Sequence, residues 1–88
     1  MKECKILGYG KFTEKETQNE MLRIVVGVNS TNENYKGIMT TTAFLNYSKD
    51  LEDELNYAIE NNLTANYETT DNIISGKTKI VNITVNHY

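Results

Sequence analysis

Between Met21 and Asn29 the apolar positions recur every second residue: Leu22, Ile24, Val26 and Val28 on one face, Met21, Arg23, Val25 and Gly27 on the other. A period of two is that of a strand with one buried side. The same alternation predicts a Thr-rich strand over 38–47, with Met39, Thr41, Ala43 and Leu45 sharing a face. It predicts a fourth strand over 63–70, where Leu63, Ala65 and Tyr67 oppose Thr64, Asn66 and Glu68. A fifth covers 77–86, where Val81, Ile83 and Val85 oppose Ile80, Asn82 and Thr84. Residues 3–13 read as a long first strand interrupted by Gly8 and Gly10, which lie two apart on one face and permit strong bending or close backbone approach. The polar stretch 14–20 and the turn-rich Ser30–Gly37 separate the first three strands into a meander.

The period changes once. Leu51, Leu55, Ala58 and Ile59 follow helical spacing and form one apolar stripe about three turns long. Ser48 is placed to cap that helix, with Asp50, Glu52, Asp53 and Glu54 where the dipole favours negative charge, and Asn61-Asn62 supplies a left-handed stop. The order is β-β-β-α-β-β. It implies an all-β domain with one helix, a five-stranded, partly open OB-type barrel plugged by that helix. A split α+β sheet with the helix on one face has the same element order.

With 88 residues, 1–88 is expected to be a single OB-like domain with a small core. There is no proline or tryptophan, and Asn, Thr and Tyr are abundant, as befits turns and strands. Cys4 is the one cysteine, so no internal disulfide is available, and a reducing compartment is implied. The opening Met-Lys-Glu-Cys-Lys has no apolar stretch of the signal-peptide kind, and no apolar run approaches the roughly 18 residues of a membrane span. The expectation is a cytoplasmic protein with no membrane partner.

The formal charge of −3 argues against coating nucleic acid by bulk electrostatics. Its distribution weakens the objection, because five of the twelve acids lie in 50–60, a segment without a base. The remainder sets nine basic residues against seven acids, for a balance of +2. His87 is the single histidine and has no nearby Cys or His companion, which leaves no metal site or catalytic triad to propose. The carboxylates at 50–54 read as a solvated first turn of helix. Gly8-Tyr9-Gly10 lacks the third glycine and the following helix of a dinucleotide fingerprint. No cofactor and no enzymatic activity are expected.

What remains is aromatic and basic. Tyr9, Lys11, Arg23, Tyr35, Lys36, Tyr67, Lys77 and Lys79 are the candidate nucleic-acid contacts, because every base offers a π-face for stacking while cations track the backbone. Phe12, Phe44 and Tyr47 fit this set too, but a small barrel also needs large side chains to fill it, so Phe12 and Phe44 serve equally as core or as binding surface. Arg23 opposes the apolar face of its strand and is expected to project outward.

The stretch Gly8-Tyr9-Gly10-Lys11-Phe12-Thr13-Glu14-Lys15-Glu16-Thr17, followed by Met21-Leu22-Arg23-Ile24-Val25-Val26, resembles the opening hairpin of small phage and plasmid single-stranded-DNA-binding proteins, the filamentous-phage type included. The resemblance implies an OB barrel, a homodimer acting in replication without a cofactor, and DNA contacts at Tyr9, Lys11, Arg23 and Tyr35. This chain departs from that pattern in its acidity and scarce arginine. The expected function is non-catalytic binding of single-stranded DNA in replication or recombination. The alternative is an acidic protein-interaction module that docks on a replication or defence protein, with its helix as a DNA mimic. An unpaired edge strand in a partly open barrel also predicts a homodimer.

Overall fold

The strand alternation carries directly into three dimensions. A computed structural model of the chain describes residues 2–29, 34, 36–72 and 77–87, except for the side chains of 2, 71, 72, 77 and 78. Its elements are β1 (Lys2–Thr13), β2 (Glu20–Asn29), β3 (Ile38–Asn46), α1 (Lys49–Asn61), β4 (Thr64–Asn72) and β5 (Lys77–Val85). All five strands join one antiparallel sheet in the order β3-β2-β1-β4-β5, so β3 and β5 are its edges and the sheet is not closed between them.

Leu22, Ile24 and Val26 are wholly buried on the expected face of β2, beside Ala43 of β3, Cys4 and Ile6 of β1, Ala65 of β4 and Leu55 and Ala58 of α1. Burying such branched side chains contributes about 1.5–3 kcal/mol each, so this face is the main source of stability. Burial, helped by the charge of Glu3, pushes the Cys4 thiol up to about 11.

Two bulges set which side chains face that core. Ile6 pairs with Val26 and Gly8 with Val25, which leaves Leu7 as an extra residue in β1. An extra residue inverts the facing of everything beyond it. Tyr9 and Lys11, opposite Ile24 and Leu22, therefore stand on the core side, whereas Gly8, Gly10 and Phe12, opposite Val25, Arg23 and Met21, stand on the outer side. In β5, Asn82 pairs with Glu68 and Ile80 with Thr69, so Val81 is the extra residue. This corrects the simple alternation read there: Ile80, Ile83 and Val85 are buried together and Val81 is 45% exposed.

The helix begins and ends as its sequence dictates. The Ser48 hydroxyl accepts the backbone N–H of Leu51 at 3.1 Å, and Asn62 takes the left-handed conformation at φ 54°, ψ 45°. The stripe is narrower than expected: Leu55 and Ala58 are buried and Leu51 is half-buried, but Ile59 is 41% exposed. One residue past Ala58 is about 100° further round the helix, beyond reach of the core of a sheet this small. α1 packs on β1 and β5. Among the described residues no helix is long and apolar enough to cross a membrane.

Candidate nucleic-acid interface

The outer side of the β1–β2–β3 meander carries what the inner side does not need. The ladder sets Gly10 beside Arg23 beside Phe44; the row before is Gly8, Val25 and Thr42, and the row after starts with Phe12 and Met21. Gly10, Lys11, Phe12, Arg23, Thr42 and Phe44 line an open cleft of about 490 Å³, within the usual range for ligand sites of roughly 300–1,000 Å³. Two of these residues are cations and none is an acid.

Phe12 and Phe44 are 38% and 46% exposed. Their ring centroids are 6.1 Å apart at 89°, an edge-to-face contact. In that arrangement the ring presenting its edge keeps both of its faces clear of its partner, so the pair is braced without being used up. On β1, beside Phe12, the wall of the cleft at Gly10 is bare backbone. A Cβ built on Gly8 or Gly10 meets nothing within 4 Å, and neither residue has a positive φ. Neither close packing nor backbone conformation calls for glycine at these positions, and Gly10 leaves its side of the cleft open down to the main chain.

Lys11 reaches the edge of this cleft from the core side of β1. Its ammonium lies 4.4 Å from the centre of the Tyr47 ring and 3.8 Å from Glu20 Oε2. The Tyr47 hydroxyl donates to Glu52 Oε1 at 3.1 Å. Partial burial, and then Glu52 as hydrogen-bond acceptor and charge, raise that hydroxyl's pKa above its ordinary value. The hydrogen bond to Glu52 fixes the Tyr47 ring as a platform for the lysine.

A second cleft, of about 440 Å³, adjoins the first. It lies where β3 and β5 face one another without pairing, over α1, and its lining includes Met21, Phe44, Leu45, Lys79, Ile80 and Val81. Phe44 belongs to both clefts.

The sequence-derived candidates are thus dispersed. Lys11 and Arg23 meet at the first cleft, and Lys79 is exposed in the second. Tyr9 turns to the helix, where its hydroxyl donates to Asn56 Oδ1 at 2.7 Å, and it packs against the core, as does Tyr67. Lys36 is exposed just before β3, at the hairpin end where Asn29 pairs with Ile38; Phe44 is six residues further along, roughly 20 Å at strand spacing. Tyr35 and the side chain of Lys77 lie outside the described residues. The two rings that border the clefts are Phe12 and Phe44, which the sequence leaves open between core and binding surface. Alternation alone marks Phe44, which falls between the inward Ala43 and Leu45. Phe12 depends on the Leu7 bulge.

Among the described residues, no group of three or more His, Cys, Asp or Glu side chains is arranged to hold a metal ion. His87 contacts Glu54 Oε1 at 3.4 Å and stacks obliquely on Tyr57 at 5.2 Å, which ties the end of the chain to α1. Comparison with protein-family models, with curated proteins and with solved structures gives no match.

Proposed function

We propose that this chain is a non-catalytic single-stranded-DNA-binding protein, active in replication or recombination, built on an OB-type barrel and working as a homodimer in the cytoplasm. The observation that carries the reading is the first cleft: two exposed, mutually braced phenylalanines beside Arg23, Lys11 and the bare backbone of Gly10, without an acid in the lining among the described residues, in a chain whose net charge is −3. Stacking on an exposed ring is worth roughly 1–3 kcal/mol per base and works for any sequence, so two rings and two cations make a plausible grip on a single strand. Duplex DNA keeps its bases stacked on each other and offers no free π-face to the rings.

The OB assignment draws support from the sheet order β3-β2-β1-β4-β5, from the helix between β3 and β4, and from the two edge strands facing one another over that helix. The homodimer rests on the same two unpaired edges. The acidic-module alternative draws on α1, whose exposed Asp50, Asp53 and Glu60 have only Lys49 as a basic neighbour within the helix.

Fluorescence-anisotropy titration of labelled oligo-dT and of duplex DNA at low and moderate salt tests the proposal. Binding to oligo-dT that exceeds duplex binding and weakens with salt supports it; absence of binding to either at low salt favours the protein-docking alternative.

A further inference from the structure

The two clefts share one wall. Phe44 stands on the edge strand β3 with Arg23 beside it on β2, and on its other side the second cleft opens toward Lys79 and Val81 of β5. Among the described residues no acid lines either cleft, although acids outnumber bases in the chain twelve to nine. The second cleft does not pair two strands, so its floor is side chains, Leu45 and Ile80, and its apolar rim is the bulged Val81. Asn46 and Asn82 line it as well, so it offers one aromatic ring, an apolar floor, two amides and a single cation, where the first cleft offers two rings and two cations.

We infer that the two clefts are consecutive subsites for one single strand, with Phe44 as the ring common to both and with Arg23 and Lys79 as the phosphate partners on either side. This deepens the proposed function and rests on it: the strand crosses from β1 and β2 over β3 into the β3–β5 seam, across the protein strands and not along one of them. The bulge at Val81 has a part in this geometry, since it lets an apolar side chain face outward at the seam while Ile80 and Ile83 stay buried. Removal of a ring that borders both clefts takes a wall from each, and is expected to cost more than removal of either cation.

The experiment uses the whole protein and unlabelled oligo-dT, with backbone amide shifts read by NMR and affinities by anisotropy competition. The expected result is that dT8 shifts the amides of Lys79, Ile80 and Val81 together with those of Arg23 and Thr42. Phe44→Ala is expected to weaken dT8 binding by roughly 5- to 150-fold for each base that leans on the ring. Lys79→Ala and Arg23→Ala should each lower the slope of log affinity against log salt by about 0.7, the value of one phosphate contact on a single strand, with additive losses in the double variant. Phe44→Leu, which keeps an apolar side chain at that exposed position, separates loss of the ring from loss of fold. If dT8 binds but leaves the β5 amides unmoved, and Lys79→Ala keeps the wild-type affinity and salt slope, the shared-wall arrangement is overturned while single-strand binding at the first cleft stands. If dT8 does not bind at low salt, both readings fall.

Discussion

The two sides of the β1–β2–β3 meander are made by the same residues in alternation, yet they do opposite things. On the inner side Leu22, Ile24 and Val26 have no exposure, and Ile6 and Ala43 close the packing around them. On the outer side Leu7, Phe12, Ile38 and Phe44 are all more than one-third exposed, with Arg23 among them. The inner side is apolar because folding requires it. The outer side carries large apolar side chains without burying them, which leaves them available for contact in a way the inner side is not. The lesson is that burial, and not hydrophobicity, separates residues that hold this fold from residues available to a ligand.

Substitutions that break the inner side give the largest effect. Ile24→Ala is expected to cost about 2–5 kcal/mol of stability, read from urea unfolding, because it leaves a cavity in a small core. The same side responds to alkali. The buried Cys4 thiol is raised from 9.0 to about 11, so the folded state holds its proton more tightly than the unfolded one. Its contribution is complete below pH 9.0 and is lost as pH climbs toward about 11. Cys4→Ala is expected to flatten the unfolding midpoint over that window, whereas an unchanged slope would show that another group governs it.

Substitutions on the outer side should cost less stability than those on the inner side and strike binding harder. Phe44→Ala removes one edge-to-face contact, worth roughly 0.5–1.5 kcal/mol to the fold, and is expected to lose roughly 1–3 kcal/mol of affinity for oligo-dT for each base stacked on the ring. Gly10→Val sharpens the contrast further. A Cβ fits there without a clash, and a β-branched residue favours a strand by up to about 1 kcal/mol, so the variant should melt no lower than the parent while its filled cleft binds less. Arg23→Gln is the mildest, visible chiefly as a salt slope smaller by about 0.7. A variant in which stability and affinity fall in step at these outer positions would erase the distinction between the two sides.

The element order, the helix cap at Ser48 and the stop at Asn62 were legible because each is written in a few adjacent residues. So was the outward direction of Arg23, given by the alternation of β2. The bulges were not legible, since an extra residue in a strand changes which neighbour faces which without changing residue type. Leu7 and Val81 look like ordinary strand residues, yet the first turns Phe12 outward and Tyr9 and Lys11 inward, and the second separates Val81 from Ile83 and Val85. That is why a basic residue and a tyrosine on β1 were easier to nominate than the phenylalanine that lines the cleft. Tyr9 turns away from the cleft for a related reason: the polar tip that lets it tolerate exposure also lets it hydrogen-bond Asn56 at the helix.

The sheet has one narrow waist. β1 pairs with β2 over eight positions and β4 with β5 over eight, but β1 meets β4 at only four, from Lys2–Tyr67 to Lys5–Thr64. Those partners are also the most distant in sequence of any paired strands, so the meander and the β4–β5 hairpin can each zip locally while the waist must wait for some sixty residues of chain to close into a loop. The waist should therefore form last, yet once formed it is held from beneath: Cys4 and Ala65 are buried in the same core as Leu55 and Ile80, and α1 packs on both β1 and β5, so its amides are expected to be protected with the core and not with the edges.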